Sequence, residues 1–307
     1  MSQSLVSVVI PAFNAGRYMS QTLNSVRLQT YQRWEVIVTN DGGTDDTPRI
    51  VSEFTSKVSQ NVQLIEHAQS QGPSAARNTG MKAANGDIIA FLDADDFWTP
   101  GHLEALCSVL EKGEADLAYA DGYVFRNTPA GEMELLPIDT IEVTNPPKDL
   151  FKRNFINPSG AAISRKLMEN VGEFDVALRG VEDIDYWIRA VTRGFQIAPT
   201  GEKTYYYRKS AGGLSAASAR MEEGGAKICE KHSRCGILPE SEILAKARDG
   251  YYAAGKLYWR KNPRAASESF YKAWVLDKYR LMPVMAAVFT RFLSWMPPRV
   301  MNVFAGR

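Results

Sequence analysis

An apolar stretch of the chain is followed directly by three carboxylates within four positions. Residues 88–92 are apolar throughout, and Asp93, Asp95 and Asp96 come directly after them. An uninterrupted apolar run predicts a strand buried on both faces, and side chains two positions apart in a strand point to the same side, as Asp93 and Asp95 would. Their repulsion must be relieved by a proton or a cation, and such oxygen ligands suit Mg²⁺ or Mn²⁺. Since Mg²⁺ commonly binds one or two carboxylates together with a substrate phosphate, the pair predicts a substrate that carries a phosphate or diphosphate.

A fourth aspartate follows another apolar stretch. Residues 36–38 are aliphatic, and Asp41 comes shortly after them in an Asp-Gly-Gly-Thr segment. At the end of a strand, Asp41 could accept a hydrogen bond from a nucleobase N–H. The alternative is a turn aspartate, because Asp-Gly is a strong turn signal.

Asp183 is the candidate for acid–base chemistry. It lies at the start of a predicted amphipathic helix over residues 182–192, whose apolar positions recur with helical spacing. At about 100° per residue, Asp183 lies on the flank of the apolar face and Glu182 points away from it. Burial beside a cleft would raise the pKa of Asp183 towards useful basicity. The alternative is that Asp183 or Asp185 only stabilises the helix N-terminus.

Short apolar stretches alternate with helical patterns along the first 120 residues. The predicted strands are 6–10, 36–38, 62–65, 88–92 and 117–120, and the predicted helices begin near residues 16, 48, 74 and 103. Such βαβ alternation predicts an α/β fold with a mostly parallel sheet and right-handed crossovers. Ligands of these sheets bind beyond the carboxyl ends of the strands. Residues 127–147 are expected to form a long loop or a small excursion over the sheet edge, and a strand at 161–163 and a helix at 165–170 follow.

Composition narrows the class of protein. The chain has 307 residues, 45% of them hydrophobic and 23% charged, which is typical of a globular protein of about two domains. The formal charge of +1 gives no field that would favour nucleic acid, so we expect no nucleic-acid partner. Three cysteines without metal-type spacing fit a reducing compartment, and the N-terminus shows no signal-peptide pattern. We therefore expect a cytoplasmic protein.

The last third of the chain predicts helices without strands. We place an α/β domain at residues 1–221 and a helical extension at 222–307, with helices at 242–259, 263–277 and 282–296. The first two of these helices resemble one tetratricopeptide-type pair. Residues 281–307 are apolar, aromatic and basic, but the apolar stretch is too short to span a bilayer. Such a tail favours either peripheral contact with a membrane or packing on the body of the protein.

Five segments give the chain a family resemblance. P-loop and Gly-x-Gly-x-x-Gly motifs are absent from the sequence. The segments are Val-Ser-Val-Val-Ile-Pro-Ala-Phe-Asn at 6–14, Asn-Asp-Gly-Gly-Thr-Asp-Asp at 40–46, Gly-Pro-Ser-Ala-Ala-Arg-Asn-Thr-Gly at 72–80, Phe-Leu-Asp-Ala-Asp-Asp at 91–96 and Val-Glu-Asp-Ile-Asp-Tyr-Trp-Ile-Arg at 181–189. In this order they resemble family 2 glycosyltransferases of the GT-A fold. The resemblance covers about residues 4–216 and implies a Rossmann-like sheet flanked by helices, with the helical extension outside it.

The resemblance also implies roles for individual residues. It implies that the donor nucleotide is bound by Pro11, Asn14, Asp41, Arg77, Asp93 and Ala94. It further implies that Asp93 and Asp95 hold Mg²⁺ or Mn²⁺ at the diphosphate, and that Asp183 is the catalytic base. Ser210 stands where the family often has a histidine, so that histidine is missing as a metal ligand. The three histidines present, His67, His102 and His232, are expected to be surface or packing residues.

The activity that the resemblance implies is an inverting sugar transfer. The donor would be a nucleotide-diphosphate sugar, expected to be UDP-linked. The acceptor would be a hydroxyl of a glycan or lipid-linked saccharide in polysaccharide, lipopolysaccharide or other glycoconjugate synthesis. The main alternative is a catalytically inactive sugar-nucleotide-binding or scaffold protein, against which the intact Asp93, Asp95 and Asp183 argue. A sugar-phosphate nucleotidyltransferase is the third reading, but its glycine-rich, arginine-containing loop after the first strand is missing.

Overall fold

The computed structural model of the chain describes residues 3–127, 133–138, 143–209 and 218–277. The chain divides into two compact units, residues 1–210 and 211–307. The strands are β1 (Val6–Ala12), β2 (Trp34–Asn40), β3 (Val62–Glu66), β4 (Ile88–Phe91), β5 (Phe97–Trp98), β6 (Leu117–Asn127), β7 (Met133–Pro137), β8 (Ala161–Ser164) and β9 (Ile197–Arg208). The helices are α1 (Gly16–Arg27), α2 (Thr47–Thr55), α3 (Pro73–Ala83), α4 (His102–Leu110), α5 (Pro146–Asp149), α6 (Arg165–Val171), α7 (Glu182–Thr192), α8 (Ser218–Lys231), α9 (Glu240–Tyr258) and α10 (Pro263–Leu276).

The first unit is built on one sheet. Its strand order is β3-β2-β1-β4-β8-β6-β9-β5, and β7 pairs with β6 outside this path. The four strands β3, β2, β1 and β4 are parallel. Beyond them the sheet is mixed, since β8 runs antiparallel to both β4 and β6 while β6 and β9 are parallel. The predicted α/β fold is confirmed, and the carboxyl ends of β1, β2 and β4 meet at one edge of the sheet.

Buried aliphatic residues hold the helices against this sheet. On one face of β1, Val6, Val8 and Ile10 pack with apolar residues of α1 in the main core. On the other face α3 comes very close to β1: a Cβ atom added at Gly80 would lie 2.6 Å from a methyl carbon of Val9. Glycine is therefore required there, and Arg77, one turn earlier on α3, is brought to the carboxyl edge of the sheet.

The largest departure from the predicted elements is β9. This twelve-residue strand runs parallel to β6 with two register shifts. Its sequence, Ile-Ala-Pro-Thr-Gly-Glu-Lys-Thr-Tyr-Tyr-Tyr-Arg, contains Pro, Gly and charged residues that hide the alternation of a strand. The short strand β7 also lies inside the stretch 127–147, for which we predicted a long loop or a small excursion, and α5 begins at the end of that stretch.

The second unit contains α8, α9 and α10 among the described residues. The helices α9 and α10 match the predicted pair to within two residues at each end, whereas α8 was not predicted. Their contact is tight at Gly255, where an added Cβ would lie 2.7 Å from the ring of Phe270. The predicted helix at 282–296 lies outside the described residues. Within the described part of the chain, every helix is too short or too polar to cross a membrane.

Candidate active site

The turns after β1 and β2 are tied to each other at the carboxyl edge. Asn14 has a positive φ of 48°, which asparagine tolerates better than most residues. Its Oδ1 accepts a hydrogen bond from the Thr44 N–H at 2.9 Å. The Asp41 N–H donates to the Ala12 carbonyl at 2.7 Å. Pro11, which is partly buried, precedes this junction in β1.

Asp41 is buried and fixes the loop at residues 67–72. Its carboxylate accepts hydrogen bonds from His67 Nδ1 and Ser70 Oγ, each at 2.7 Å, and from the N–H groups of Gln71 and Gly72 at 2.8 to 3.0 Å. Burial by itself would raise the pKa of Asp41, but these donors outweigh it and lower the pKa below its ordinary value. Asp41 therefore stabilises the neighbouring loop, and its role towards a nucleobase stays a prediction.

Arg77 joins two carboxylates in the interior. Its side chain is 5% exposed, and it donates from Nη2 to Asp93 Oδ1 at 2.5 Å and from Nη1 to Glu182 Oε1 at 2.8 Å. Burial opposes the charge, but Asp93 and Glu182 raise the pKa of Arg77 above its ordinary value. Glu182, which we predicted to point away from the apolar face of α7, is not exposed. Glu182 is buried because a guanidinium in the interior needs anions around it.

The turn after β4 carries more negative charge than it has nearby cations. Burial, and then the charge of Asp93, raise the pKa of Asp95 to about 6. Asp96 is fully buried and accepts hydrogen bonds from Ser159 Oγ at 2.5 Å and from the Arg208 N–H at 2.8 Å. Burial and both neighbouring aspartates raise the pKa of Asp96 well above its ordinary value. Such a cluster favours a proton or a cation.

Ala94 lies inside this turn, between the two aspartates predicted to bind metal. Its carbonyl accepts a hydrogen bond from Thr22 Oγ1 of α1 at 2.9 Å. The same hydroxyl donates to the Asp96 carbonyl at 2.8 Å. The turn is therefore fixed to α1, which holds the backbone between Asp93 and Asp95 in place.

A divalent cation would fit at Asp93 and Asp95. The raised pKa of Asp95 reflects a repulsion that such an ion would relieve. Among the described residues, no three His, Cys, Asp or Glu side chains form a group that could hold a metal on its own. One oxygen of Asp93 is already bound to Arg77, so further ligands would have to come from substrate or water. Ser210 lies outside the described residues.

Asp183 is held in the first turn of α7. Its Oδ2 accepts a hydrogen bond from Asn154 Nδ2 at 2.7 Å, and its Oδ1 accepts one from the Ile184 N–H at 2.9 Å. Burial, and then the charge of Glu182, raise the pKa of Asp183 to about 7, although Arg77 acts in the opposite direction. A carboxylate with this pKa can take a proton from a substrate near neutral pH.

Four residues of the site were given no role from the sequence: Glu182, Asn154, Ser159 and Arg208. Ser159 accepts a hydrogen bond from the Asp93 N–H at 3.0 Å and donates to Asp96, so it braces the turn after β4. Arg208, at the end of β9, donates from Nε to the Asp95 carbonyl at 2.8 Å and from Nη2 to Gln21 at 2.6 Å. Glu182 lies in the family-like segment at 181–189 and Arg208 lies two residues before Ser210, but neither was assigned a role from the sequence.

Comparison with known proteins identifies the family. The family described as Glycosyl transferase family 2 matches residues 7–172. The chain therefore belongs to glycosyltransferase family 2. It resembles the Escherichia coli protein WfgD, a UDP-Glc:alpha-D-GlcNAc-diphosphoundecaprenol beta-1,3-glucosyltransferase, with 35% identity over 41% of this chain and 49% of WfgD. It also resembles Escherichia coli WfaP, a protein of the same description, with 26% identity over 69% of this chain and 80% of WfaP.

The chain spans less than half the length of several relatives, among them WfgD and two uncharacterized glycosyltransferases of Rickettsia. Solved structures share its fold. TarS residues 1–349 from S. aureus align with a TM-score of 0.63 and 17% identity, covering 93% of this chain and 88% of that one. Mannosyltransferase PcManGT from Pyrobaculum calidifontis, in complex with GDP-Man and Mn²⁺, aligns with a TM-score of 0.58 and 17% identity over 96% and 89% of the chains. The predicted GT-A fold is confirmed.

Proposed function

We propose that this protein is an inverting glycosyltransferase that moves a sugar from a UDP-linked donor to an acceptor hydroxyl. Membership of family 2 supports the class of reaction. The observation that carries the proposal is Asp183, a carboxylate with a pKa raised to about 7, held by Asn154 near the Arg77 cation. A base poised near neutral pH is what an acceptor hydroxyl requires, because a hydroxyl is a weak nucleophile until its proton is removed.

The reaction would be a direct displacement. Asp183 takes the proton of the acceptor hydroxyl while the acceptor oxygen forms a bond to the anomeric carbon of the sugar. The bond between that carbon and the diphosphate oxygen breaks, and its electron pair leaves with the nucleoside diphosphate. Attack from the face opposite the diphosphate inverts the anomeric centre. Binding both substrates in line accounts for much of the rate, because it removes the entropy of bringing them together.

The donor side is assigned to the turn after β4. Asp95 and Asp93 would hold Mg²⁺ or Mn²⁺, which when bound would neutralise charge on the departing diphosphate. Arg77 keeps one oxygen of Asp93 fixed, and Ser159 and Arg208 hold the backbone on either side. The Mn²⁺ in the PcManGT complex supports a divalent ion in this fold.

Relatives support the donor and acceptor classes. TarS residues 1–349 have been solved with UDP and with UDP-GlcNAc, and WfgD and WfaP are described as transferring from UDP-Glc to a diphosphoundecaprenol-linked sugar. We therefore propose a UDP-sugar donor and a lipid-linked saccharide or glycan acceptor, in the synthesis of a cell-envelope polysaccharide. The acceptor would be met at the cytoplasmic face of the membrane, with residues 281–307 as a peripheral contact. Equal recovery of the full chain and of a variant ending at residue 277 on anionic liposomes would contradict that contact.

The test combines a donor screen with one substitution. Nucleotides and nucleotide sugars are added to the full chain with Mn²⁺, and selective thermal stabilisation identifies the donor. Transfer from that donor is then measured with lipid-linked and free saccharide acceptors. We expect Asp183→Asn to keep donor binding and to lose transfer by about 1,000-fold. An Asp183→Asn enzyme as active as the wild type would overturn the assignment of the base.

A further inference from the structure

One buried cation connects Asp93, assigned to the donor side, with Glu182, the chain neighbour of Asp183. Arg77 binds Asp93 at one end of its guanidinium and Glu182 at the other. Asp93 remains 26% exposed, whereas the side chain of Glu182 is only 6% exposed. Arg77 also lies over the ring of Phe174, 5.8 Å from the ring centre, which restricts its movement. The guanidinium is therefore held between one carboxylate that is partly exposed and one that is buried.

Glu182 is bound at both of its oxygens. Oε1 accepts from Arg77, and Oε2 accepts from the Gly180 N–H at 2.6 Å. A buried carboxylate with two fixed donors cannot rotate without losing charge-assisted hydrogen bonds. Glu182 itself is the first residue of α7, and Asp183 is the second. A shift of Glu182 would thus move both the guanidinium that holds Asp93 and the helix turn that carries Asp183.

From this geometry we infer that Glu182 is a positioning residue for sugar transfer: through Arg77 and the first turn of α7, it holds Asp93 and Asp183 in a fixed arrangement. This inference rests on the proposed function of the site. The carboxylate of Glu182 touches neither substrate in this scheme, since it is buried behind Arg77. Its charge also acts on its neighbour. The groups that act on the pKa of Asp183 are Glu182, which raises it, and the Ile184 N–H, Arg77 and Asn154, which lower it.

Glu182→Gln separates the charge of this residue from its shape. The amide keeps one acceptor for Arg77 and removes the negative charge beside Asp183. We expect the pKa of Asp183 to fall by about one unit, because like charges raise a carboxyl pKa. In the transfer assay, the acid limb of the kcat profile should move to lower pH and the plateau should drop about 10-fold. KM for the donor should change less than about 3-fold, since uniform binding is kept.

The matched control is Asp185→Asn. Asp185 lies in the same turn of α7, is fully buried and pairs with an arginine, Arg189, at 2.8 Å. This variant should lose stability without moving the titration of Asp183. The titration is read from the carbon-13 signal of the Asp183 carboxyl in aspartate-labelled protein, assigned by its absence in Asp183→Asn.

The two readouts keep this inference apart from the proposed function. If the wild-type protein shows no transfer but Glu182→Gln still shifts the titration of Asp183, the proposed transfer is overturned and the link between Glu182 and Asp183 stands. If Glu182→Gln leaves both the titration and the kcat profile of an active enzyme unchanged, the link is overturned. An equal shift in Asp185→Asn would also overturn it, because the effect would then belong to the helix turn and not to Glu182.

Discussion

Buried carboxylates lie at both ends of the central strands, and the turn after β4 holds its carboxylates in the opposite way to Glu35 at the amino end. At the amino ends, Glu35 of β2 accepts hydrogen bonds from Ser7 Oγ and the Asn85 N–H at 2.7 Å, and from the side-chain amides of Asn61 and Asn85 at 3.1 Å. Burial would raise its pKa, but these neutral donors lower it below the ordinary value. Glu35 is a single charge surrounded by groups that stabilise it.

In the turn after β4, several carboxylates share fewer donors. Asp93, Asp95 and Asp96 lie in one turn. Burial and the charge of Asp93 raise the pKa of Asp95, and burial and the charges of Asp93 and Asp95 raise the pKa of Asp96. The pKa of Asp183, in the first turn of α7, is raised to about 7. The comparison teaches that burial alone does not mark a functional carboxylate in this molecule. What distinguishes the turn after β4 from Glu35 and Asp41 is that the protein leaves the charge of its carboxylates uncompensated.

Of the substitutions at the two ends of the strands, removing a charge from the turn after β4 should have the larger effect on nucleotide binding. Asp95→Asn keeps the size of the side chain and removes one of the two predicted metal ligands. We expect Mn²⁺-dependent affinity for UDP to fall by more than about 100-fold, because even outer contacts of a metal site can cost that much. Titration calorimetry with UDP, in the presence and absence of Mn²⁺, measures the change. Wild-type affinity in the variant would exclude Asp95 as a ligand.

The equivalent substitution at the amino edge should affect folding instead. In Glu35→Gln the amide NH₂ must face the donors of Asn85 or Asn61, which leaves a buried donor without an acceptor. We expect the free energy of unfolding to fall by about 2 kcal/mol, while UDP affinity and turnover per folded molecule stay at the wild-type level. Urea unfolding and the transfer assay check the two parts. A loss of turnover with unchanged stability would contradict the contrast between the edges.

The pattern of nearby residues was sufficient to predict the strand ends at the carboxyl edge of the sheet. The apolar run at 88–92 and the carboxylates after it predicted β4 and its turn, because a buried strand and its end are both encoded within a few residues. Asp41 was likewise placed after β2. The roles of these residues towards nucleotide and metal remain predictions, since they depend on ligands and not on the strand pattern.

Contacts between distant residues account for the errors. Helical periodicity predicted that Glu182 points away from the apolar face of α7. In the structure Glu182 is buried, because it pairs with Arg77, which is 105 positions away in the chain. No window of sequence contains both residues. The strand β9 was not predicted. Its pairing with β6 contains two register shifts, and these interrupt the alternation of buried and exposed side chains that marks a regular strand. With β9 unrecognised, Arg208 could not be placed against the turn after β4.

The smallest expected effect is a difference in the pH dependence of stability. Asp95 has a folded-state pKa of about 6 against an ordinary value of 3.8, so its contribution favours folding below about pH 4 and is lost as the pH rises through 6. Glu35 has a lowered pKa, so its contribution is present above its ordinary pKa and is lost as the pH falls below it. In metal-free buffer, Asp95→Asn should therefore gain about 1 kcal/mol relative to the wild type between pH 4 and 7, after solvent screening. Glu35→Gln should show the opposite slope, its deficit shrinking as the solution becomes more acidic. Urea unfolding of the three proteins across this range measures both slopes, and parallel curves would show that the two edges do not differ in charge compensation.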